Sequence, residues 1–294
     1  MDTDLDSLLR TAFDTYLSRR NQSDLEPAES YLPYDFKEID AQQWRPFAVQ
    51  MIKDELNELT NKLNYWHGLL RNWHAWNWVI SPHDTEAAWE LRREFLETLV
   101  HFCLLMPSSI RDTFTFVVTN SMHQVRLATS EEYQDYMEGD PKTPEEKPKH
   151  LSRRQKEKRL ESIIGIWPEA AGFMASLNKI DNATYRKLTS DYRNRHAHTI
   201  GPRLSIGITQ TVVRFVRQAT TLVEQPEGKF NLVPIPGMVS VSYGFGGTSP
   251  LDMEKARTLN LEHYRLAREC YEHYLHKLLK AGLSLMPKQI SQNP

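Results

Sequence analysis

The chain has 294 residues, of which 40% are hydrophobic and 25% charged, and its formal net charge is −2. This length can bury a substantial core in one large or two ordinary domains, and the small net charge argues against a surface coated in nucleic-acid-binding groups. No leader-like segment and no apolar run of about 18 residues is visible, which predicts a cytoplasmic protein that does not span a membrane. The charge is uneven, however. Residues 142–217 hold 16 Lys and Arg against 7 Asp and Glu, a net +9 that leaves −11 elsewhere. Such a basic middle suits a localised anionic partner.

Helical patterns dominate residues 1–138. The segment 1–40 is predicted to form an amphipathic helix over Asp2 to Arg20 and then an irregular connector. Residues 41–138 are predicted to form the long helices of a bundle. These helices run from Gln42 to about Ile80, from Glu86 to Met106 after a cap at Asp84 or Thr85, and from Ile110 to Ala128 after a break at Pro107.

The rest of the chain begins with a charged, proline-containing stretch at 139–150, which we interpret as a linker or long loop. Residues 151–294 are predicted to pack with 41–138 as one domain. A helix capped at Asp181 or Asn182 is expected to continue through 198. Short strands are expected near 211–247, with a hairpin turn at Pro236-Gly237. A long helix then runs from about Asp252 to Leu285. The sequence therefore predicts a mainly α protein with a small β-hairpin insertion.

The cysteines and tryptophans are best explained as residues of the hydrophobic core. Cys103 and Cys270 lie in apolar helical patterns and are predicted to be buried, reduced thiols. Cys270 with His273 and His276 has helical spacing for metal ligands, but no second ligand group accompanies it, and we expect no metal or other cofactor. The tryptophans at 66, 73 and 76 could stack bases, yet their spacing favours a core face.

The segment 191–202, DYRNRHAHTIGP, concentrates the chemistry of the chain. It places two guanidiniums, two imidazoles and a carboxamide in six positions at the predicted end of a helix. Arginine binds phosphate through a rigid fork of donors, and histidine can exchange a proton near neutral pH. These groups can grip or cut a phosphodiester without a metal.

Spacing alone does not distinguish this cluster. Arg193 and His198 are five positions apart, but Arg268 and His273 share that spacing inside a long helix, where a solvated face explains it. The cluster differs from this decoy because Asn194 follows its arginine and because a Gly-Pro pair follows its histidine. Residues five apart on a straight helix point about 140° from each other. A helix break is therefore expected to return His198 to the side of Arg193.

Residues 193–198, RNRHAH, resemble the arginine-polar-x3-histidine signature of the HEPN superfamily (higher eukaryotes and prokaryotes nucleotide-binding domains). The resemblance covers about a dozen residues. It implies an HEPN-like helical bundle, here with extra N-terminal helices and the hairpin insertion. It also implies a homodimer that acts as a metal-independent endoribonuclease in a prokaryotic toxin or phage-defence system, with an antitoxin or defence protein as a possible partner.

The resemblance also implies roles for individual residues. His198 would be the general base or acid, Arg193 would stabilise charge on the phosphoryl oxygens, and Asn194 would orient one of them. Tyr192, Arg195 and His196 would contact the RNA substrate. The products would be a 2′,3′-cyclic phosphate and a 5′-hydroxyl.

Other interpretations of the cluster stay open. Cationic side chains near a helix C-terminus are favoured by the macrodipole and need no ligand. The protein could instead be a non-catalytic helical module that binds nucleotide, RNA or a partner protein, or an architectural protein without a ligand. Whether it is an enzyme is not decided by the sequence, which leans towards an endoribonuclease.

Overall fold

The computed structural model describes residues 2–226 and 228–288, and its architecture is mainly helical with one two-stranded antiparallel sheet. The chain divides into two compact units. The helical unit comprises Met1–Arg186 and Glu254–Pro294, and the hairpin unit comprises Lys187–Met253. Across the described residues, no helix combines the length and apolar character that crossing a bilayer requires.

The helices confirm most of the predicted pattern at residue level. Their bounds are α1 Asp2–Arg19, α2 Lys37–Asp40, α3 Ala48–Ile80, α4 Thr85–Leu91, α5 Glu97–Thr129, α6 Arg153–Ile164, α7 Ala170–Lys179, α8 Ala183–Leu188, α9 Tyr192–His198, α10 Met253–His273 and α11 Lys280–Ser284. Single π-helical segments, Arg92–Leu96 and Tyr274–Leu279, connect α4 to α5 and α10 to α11. The predicted cap of α4 is confirmed, because the Asp84 carboxylate accepts a hydrogen bond of 2.9 Å from the Ala87 amide.

The long helix α3 supplies much of the core of the helical unit. Trp66 and Trp73 are fully buried and Trp76 nearly so, which confirms the core interpretation of the three tryptophans. The leucines spaced at three and four positions along the same face are buried as well. Phe47, which lies inside the helix predicted to begin at Gln42, is 83% exposed. It has a left-handed backbone conformation (φ 67°) and precedes the first helical residue, so the helical face does not extend to it.

The predicted break at Pro107 is wrong, because α5 continues through this proline. Proline has no amide hydrogen, and a helical proline therefore leaves the carbonyl four residues earlier without its usual donor. That carbonyl belongs to Cys103, and it accepts a hydrogen bond of 2.8 Å from Nδ2 of Asn260 on α10. A side chain from another helix thus replaces the missing backbone donor.

Asn260 uses both ends of its amide in the core. Its Oδ1 accepts from Trp66 Nε1 at 2.7 Å, and its Nδ2 also donates to the Tyr185 hydroxyl at 2.9 Å. An indole nitrogen only donates and a backbone carbonyl only accepts, so these partners fix the orientation of the amide. Asn260 is fully buried and connects α3, α5, α8 and α10.

The hairpin lies within the predicted range of 211–247, but its strands are longer than the short strands expected and its predicted turn is wrong. Strand β1 spans Val212–Glu224 and β2 spans Phe230–Phe245. The chain turns between them, where the Gln225 amide donates to the Lys229 carbonyl at 2.7 Å. Pro236 and Gly237 instead lie in the irregularity where the register shifts between Gln218 and Thr220. A proline cannot donate to a strand ladder, and such residues are tolerated at bulges.

We predict that Asn260 and Pro107 are energetically coupled. Asn260→Ala should lower the free energy of unfolding by about 2–4 kcal/mol, because one buried donor (Trp66 Nε1) and two acceptors (the Cys103 carbonyl and the Tyr185 hydroxyl) lose their partner. In a Pro107→Ala background the loss should be smaller by about 1 kcal/mol, since the amide of residue 107 can then bond to the Cys103 carbonyl. Urea denaturation of the four proteins measures both values. An equal loss in the two backgrounds would contradict the assigned role of Asn260.

Glu55, on α3, makes the stability depend on pH. One carboxylate oxygen accepts from Asn120 Nδ2 at 2.7 Å, while the other is buried without a hydrogen-bond partner. Burial raises the pKa of this carboxyl to about 7. The folded state therefore holds a proton that the unfolded chain releases near its ordinary pKa of about 4.3. This contribution to stability is complete below that value and is lost as the pH rises through about 7.

We expect Glu55→Gln to raise the free energy of unfolding at pH 8 by roughly 1–2 kcal/mol, after allowance for solvent screening, and to change it little near pH 4. The neutral amide needs no proton and can still accept from Asn120. Urea denaturation at the two pH values checks this. Glu58→Gln, an exposed substitution one turn along α3, is the matched control and should leave the pH profile unchanged. A wild-type pH profile in Glu55→Gln would count against the prediction.

Candidate functional site

The cluster lies on α9, a short helix of the hairpin unit that is separate from α8. Asn182 caps α8, since its Oδ1 accepts from the Tyr185 amide at 2.8 Å, but α8 ends at Leu188. Ser190 and Asp191 then have left-handed φ values of 53° and 51°. Two successive left-handed residues cannot continue a right-handed helix. The expectation of one helix from this cap to residue 198 is therefore wrong.

A chain of hydrogen bonds positions the guanidinium of Arg193. The Asp191 carboxylate accepts from Asn194 Nδ2 at 2.9 Å, which turns Asn194 Oδ1 away from that carboxylate. Asn194 Oδ1 in turn accepts from Arg193 Nη1 at 2.8 Å. The carboxamide thus holds one edge of the guanidinium. The other N–H groups of the Arg193 guanidinium have no protein acceptor among the described residues.

The helix does not break before His198, contrary to the expected return of this residue. His198 is the last residue of α9, and the irregular backbone begins at Thr199. Arg193 and His198 therefore leave the helix about 140° apart. Asn194 and His198, however, are four positions apart and lie on the same face. The guanidinium of Arg193 is bonded to Asn194, which shares a face of α9 with His198.

The neighbouring aromatic and cationic residues have packing contacts. Tyr192 is buried, and its ring meets that of His196 edge to face with centroids 5.1 Å apart. The buried ring of Tyr192 does not present a face on which a base could stack. Arg195 Nη2 donates to Gln210 Oε1 at 2.7 Å, which ties α9 to the residues just before β1. These contacts give Tyr192 and Arg195 a role in positioning α9.

The exposed part of α9 is cationic. Arg193 and His198 are both exposed, and in the described part of the chain neither forms an ion pair with a carboxylate. Arg195 and His196 add to the basic last turns of the helix. The guanidinium charge of Arg193, which no described carboxylate pairs with, favours an anionic ligand, and its donors match the geometry of phosphate oxygens.

Sequence reasoning missed two residues of this cluster. Asp191 orients Asn194, and Gln210 holds Arg195. The contact of Asp191 with Asn194 could have been predicted, because the two residues are only three positions apart in the sequence. The contact with Gln210, fifteen positions further along the chain than Arg195, depends on a fold-back of the chain that no local pattern indicates.

A second polar region, in the helical unit, surrounds the decoy pair. Arg268 and His273 line an open cleft of about 640 Å³. The charges in it are largely paired within the protein: Arg268 donates to the Ser30 carbonyl at 2.6 Å, and His276 Nε2 lies 2.9 Å from a Glu272 oxygen. The other lining residues are Glu29, Ser176, Arg265, Glu269 and Lys277.

The histidines of the cleft do not form a metal site with the nearby cysteine. Cys270 is fully buried, and burial raises the pKa of its thiol. Burial also lowers the pKa of His273. Over residues 2–226 and 228–288, no three His, Cys, Asp or Glu side chains gather as a metal ion would require. Both cysteines are free and buried, as predicted.

Comparisons with known proteins give no indication of function, so the interpretation depends on the residues described above. No family model matches the chain, and no curated protein or solved structure is significantly similar to it.

Proposed function

We propose that the chain is a metal-independent endoribonuclease of the HEPN type, with a site built on α9. The observation that carries the proposal is the bonded pair of Arg193 and Asn194, held by Asp191, on a helix that also exposes His198. The decoy Arg268 differs because its guanidinium donates to a backbone carbonyl and to the Tyr264 hydroxyl. An HEPN-like bundle and a cytoplasmic RNA substrate belong to the same proposal.

Each group has one chemical task in this mechanism. His198 Nδ1 or Nε2 removes the proton of a ribose 2′-hydroxyl, and the 2′-oxygen attacks the adjacent phosphorus. The bond from phosphorus to the 5′-oxygen breaks, and this oxygen gains a proton. The products are a 2′,3′-cyclic phosphate and a 5′-hydroxyl. Arg193 neutralises the charge that develops on the phosphoryl oxygens, and Asn194 keeps the guanidinium oriented.

A second copy of α9 completes the proton transfers. One imidazole cannot accept a proton from the attacking hydroxyl and donate another to the leaving oxygen at the same moment. Two copies of His198 facing one phosphate would supply one base and one acid. We therefore propose that the active form pairs two α9 clusters, in a toxin or phage-defence role that an antitoxin or defence partner would restrain.

The test is cleavage of end-labelled RNA in EDTA. The wild type should cut and leave cyclic-phosphate ends, whereas Arg193→Ala and His198→Ala should each lower the rate by about 100- to 1000-fold. Asn194→Ala should lower it less, because it only releases the guanidinium. RNA with a 2′-deoxy residue at the cleavage position should stay intact, since the nucleophile is missing.

The matched control is the decoy pair at the same spacing. Arg268→Ala and His273→Ala should cut at the wild-type rate, once circular dichroism confirms that each variant is folded. Equal cutting by all variants, or cutting that requires a metal, would refute the proposal. RNA binding that is lost in Arg193→Ala, with no cyclic-phosphate product from any variant, would instead indicate the non-catalytic binding module.

A further inference from the structure

The ribbon formed by β1 and β2 has one face that is apolar and uncovered. Residues paired across two antiparallel strands share a face. We call the face that carries the following cross-strand pairs the apolar face: Val212 with Phe245, Arg214 with Tyr243, Val216 with Val241, Gln218 with Val239, Thr220 with Pro234, Leu222 with Leu232, and Glu224 with Phe230. The exposure on it is large, at 95% for Phe245, 71% for Tyr243 and 70% for Val239.

The opposite face is covered in part by its own side chains. Val213 and Phe215 are half-buried there. The Phe215 ring lies so close to Gly244 that a Cβ at that position would be 3.2 Å from it. The Arg217 guanidinium lies over the same ring, 5.0 Å from its centroid. Serines 240 and 242 complete this polar face. The two faces therefore differ in chemistry, and only the apolar one exposes a row of large hydrophobic side chains.

The size of the apolar face suits a weak protein interface. Strand β1 has 13 residues, which corresponds to a ribbon about 40 Å long and about 10 Å wide, or about 400 Å² of flat area. Arg214, Gln218, Thr220 and Glu224 make part of this area polar. The remaining apolar area is within the range of the largest patch on a typical monomer, and such patches are often functional. Two such faces packed together would bury about 800 Å² of flat area, and somewhat more once the relief of the side chains is included. A buried area of this size is typical of weak complexes.

The charged residues of the ribbon indicate which partner packs on its apolar face. Arg214 lies near the base of β1 and Glu224 at its tip, an even number of residues apart along the strand. We propose that the apolar face packs on the same face of a second copy of this chain, with the ribbons antiparallel about a twofold axis near Gln218. This axis brings Arg214 beside Glu224 of the second copy, twice in the dimer. A parallel arrangement would bring like charges together and is disfavoured.

This association does not rest on the proposed function. The bond between Arg195 and Gln210 places α9 at the base of the ribbon, and an antiparallel pairing puts the two bases at opposite ends. The ribbon interface is therefore distinct from any pairing of α9 clusters. Failure of one leaves the other to be judged by its own measurement.

Sedimentation velocity of the full chain tests the ribbon interface, and it is done without RNA so that no phosphate brings two α9 clusters together. The wild type should change from monomer to dimer as its concentration rises from about 1 to about 100 µM, the range expected for a small interface. Val241→Asp should raise the dissociation constant at least about tenfold, since it buries a charge in the interface. The matched control, Ser240→Asp, puts the same charge on the neighbouring residue of the polar face and should dimerise like the wild type. A wild type that stays monomeric, or a dimer that Val241→Asp leaves intact, would overturn the proposal.

A charge exchange tests the antiparallel arrangement with residues that are exposed and should not affect folding. Arg214→Glu and Glu224→Arg should each weaken the dimer about five- to twentyfold, because each creates two like-charge pairs. The double variant should return to within about twofold of the wild type. If the two single effects instead add in the double variant, the two charges do not meet and the arrangement is wrong.

Discussion

The structure of the helical unit depends on the carbonyl that Pro107 leaves without a donor. A buried carbonyl without a hydrogen bond costs about 1–3 kcal/mol, and α5 carries its proline in the core rather than at an end. Asn260 satisfies this group from a helix more than 150 residues away in sequence. The same amide accepts from Trp66 and donates to Tyr185. One buried side chain thus fixes how α3, α5, α8 and α10 meet, because a shift of any of them breaks a bond that water cannot replace.

The candidate site differs from this buried network, because its residues are largely exposed and its hydrogen bonds join residues that are close in sequence. Asp191, Asn194 and Arg193 form a short relay of hydrogen bonds on the surface of α9. Surface bonds of this kind contribute little to stability. Their effect is to reduce the number of orientations available to the guanidinium, which is what recognition of a phosphate requires. The left-handed turn at Ser190 and Asp191 separates α9 from α8 and so sets the start of the helix at the residue that anchors the relay.

The ribbon of the hairpin unit shows how alternation along a strand separates two surfaces. Phe215 covers Gly244 on one side, while Val216 and Val241 are left open on the other. A local pattern of this kind can be read from a sequence only once the register is known. The turn that the sequence indicated at Pro236-Gly237 would have paired residues of β2 with one another and not with β1. The observed register, with its irregularity next to Gln218, keeps the hydrophobic side chains together.

The spacing of apolar residues in the sequence by itself determined the helical class and the buried face of α3. Residue types at particular positions determined the cap of α4 and the polar cluster on α9. These features arise from contacts within a few positions, where helix geometry and side-chain chemistry suffice. Only the tertiary structure decided that α5 passes through Pro107, because the compensating donor, Asn260, is remote in sequence. It likewise decided the split between α8 and α9 and the register of the ribbon. The bonds from Arg193 to Asn194 and from Asn194 to Asp191 depend on the left-handed backbone conformation at Asp191, which no spacing rule encodes.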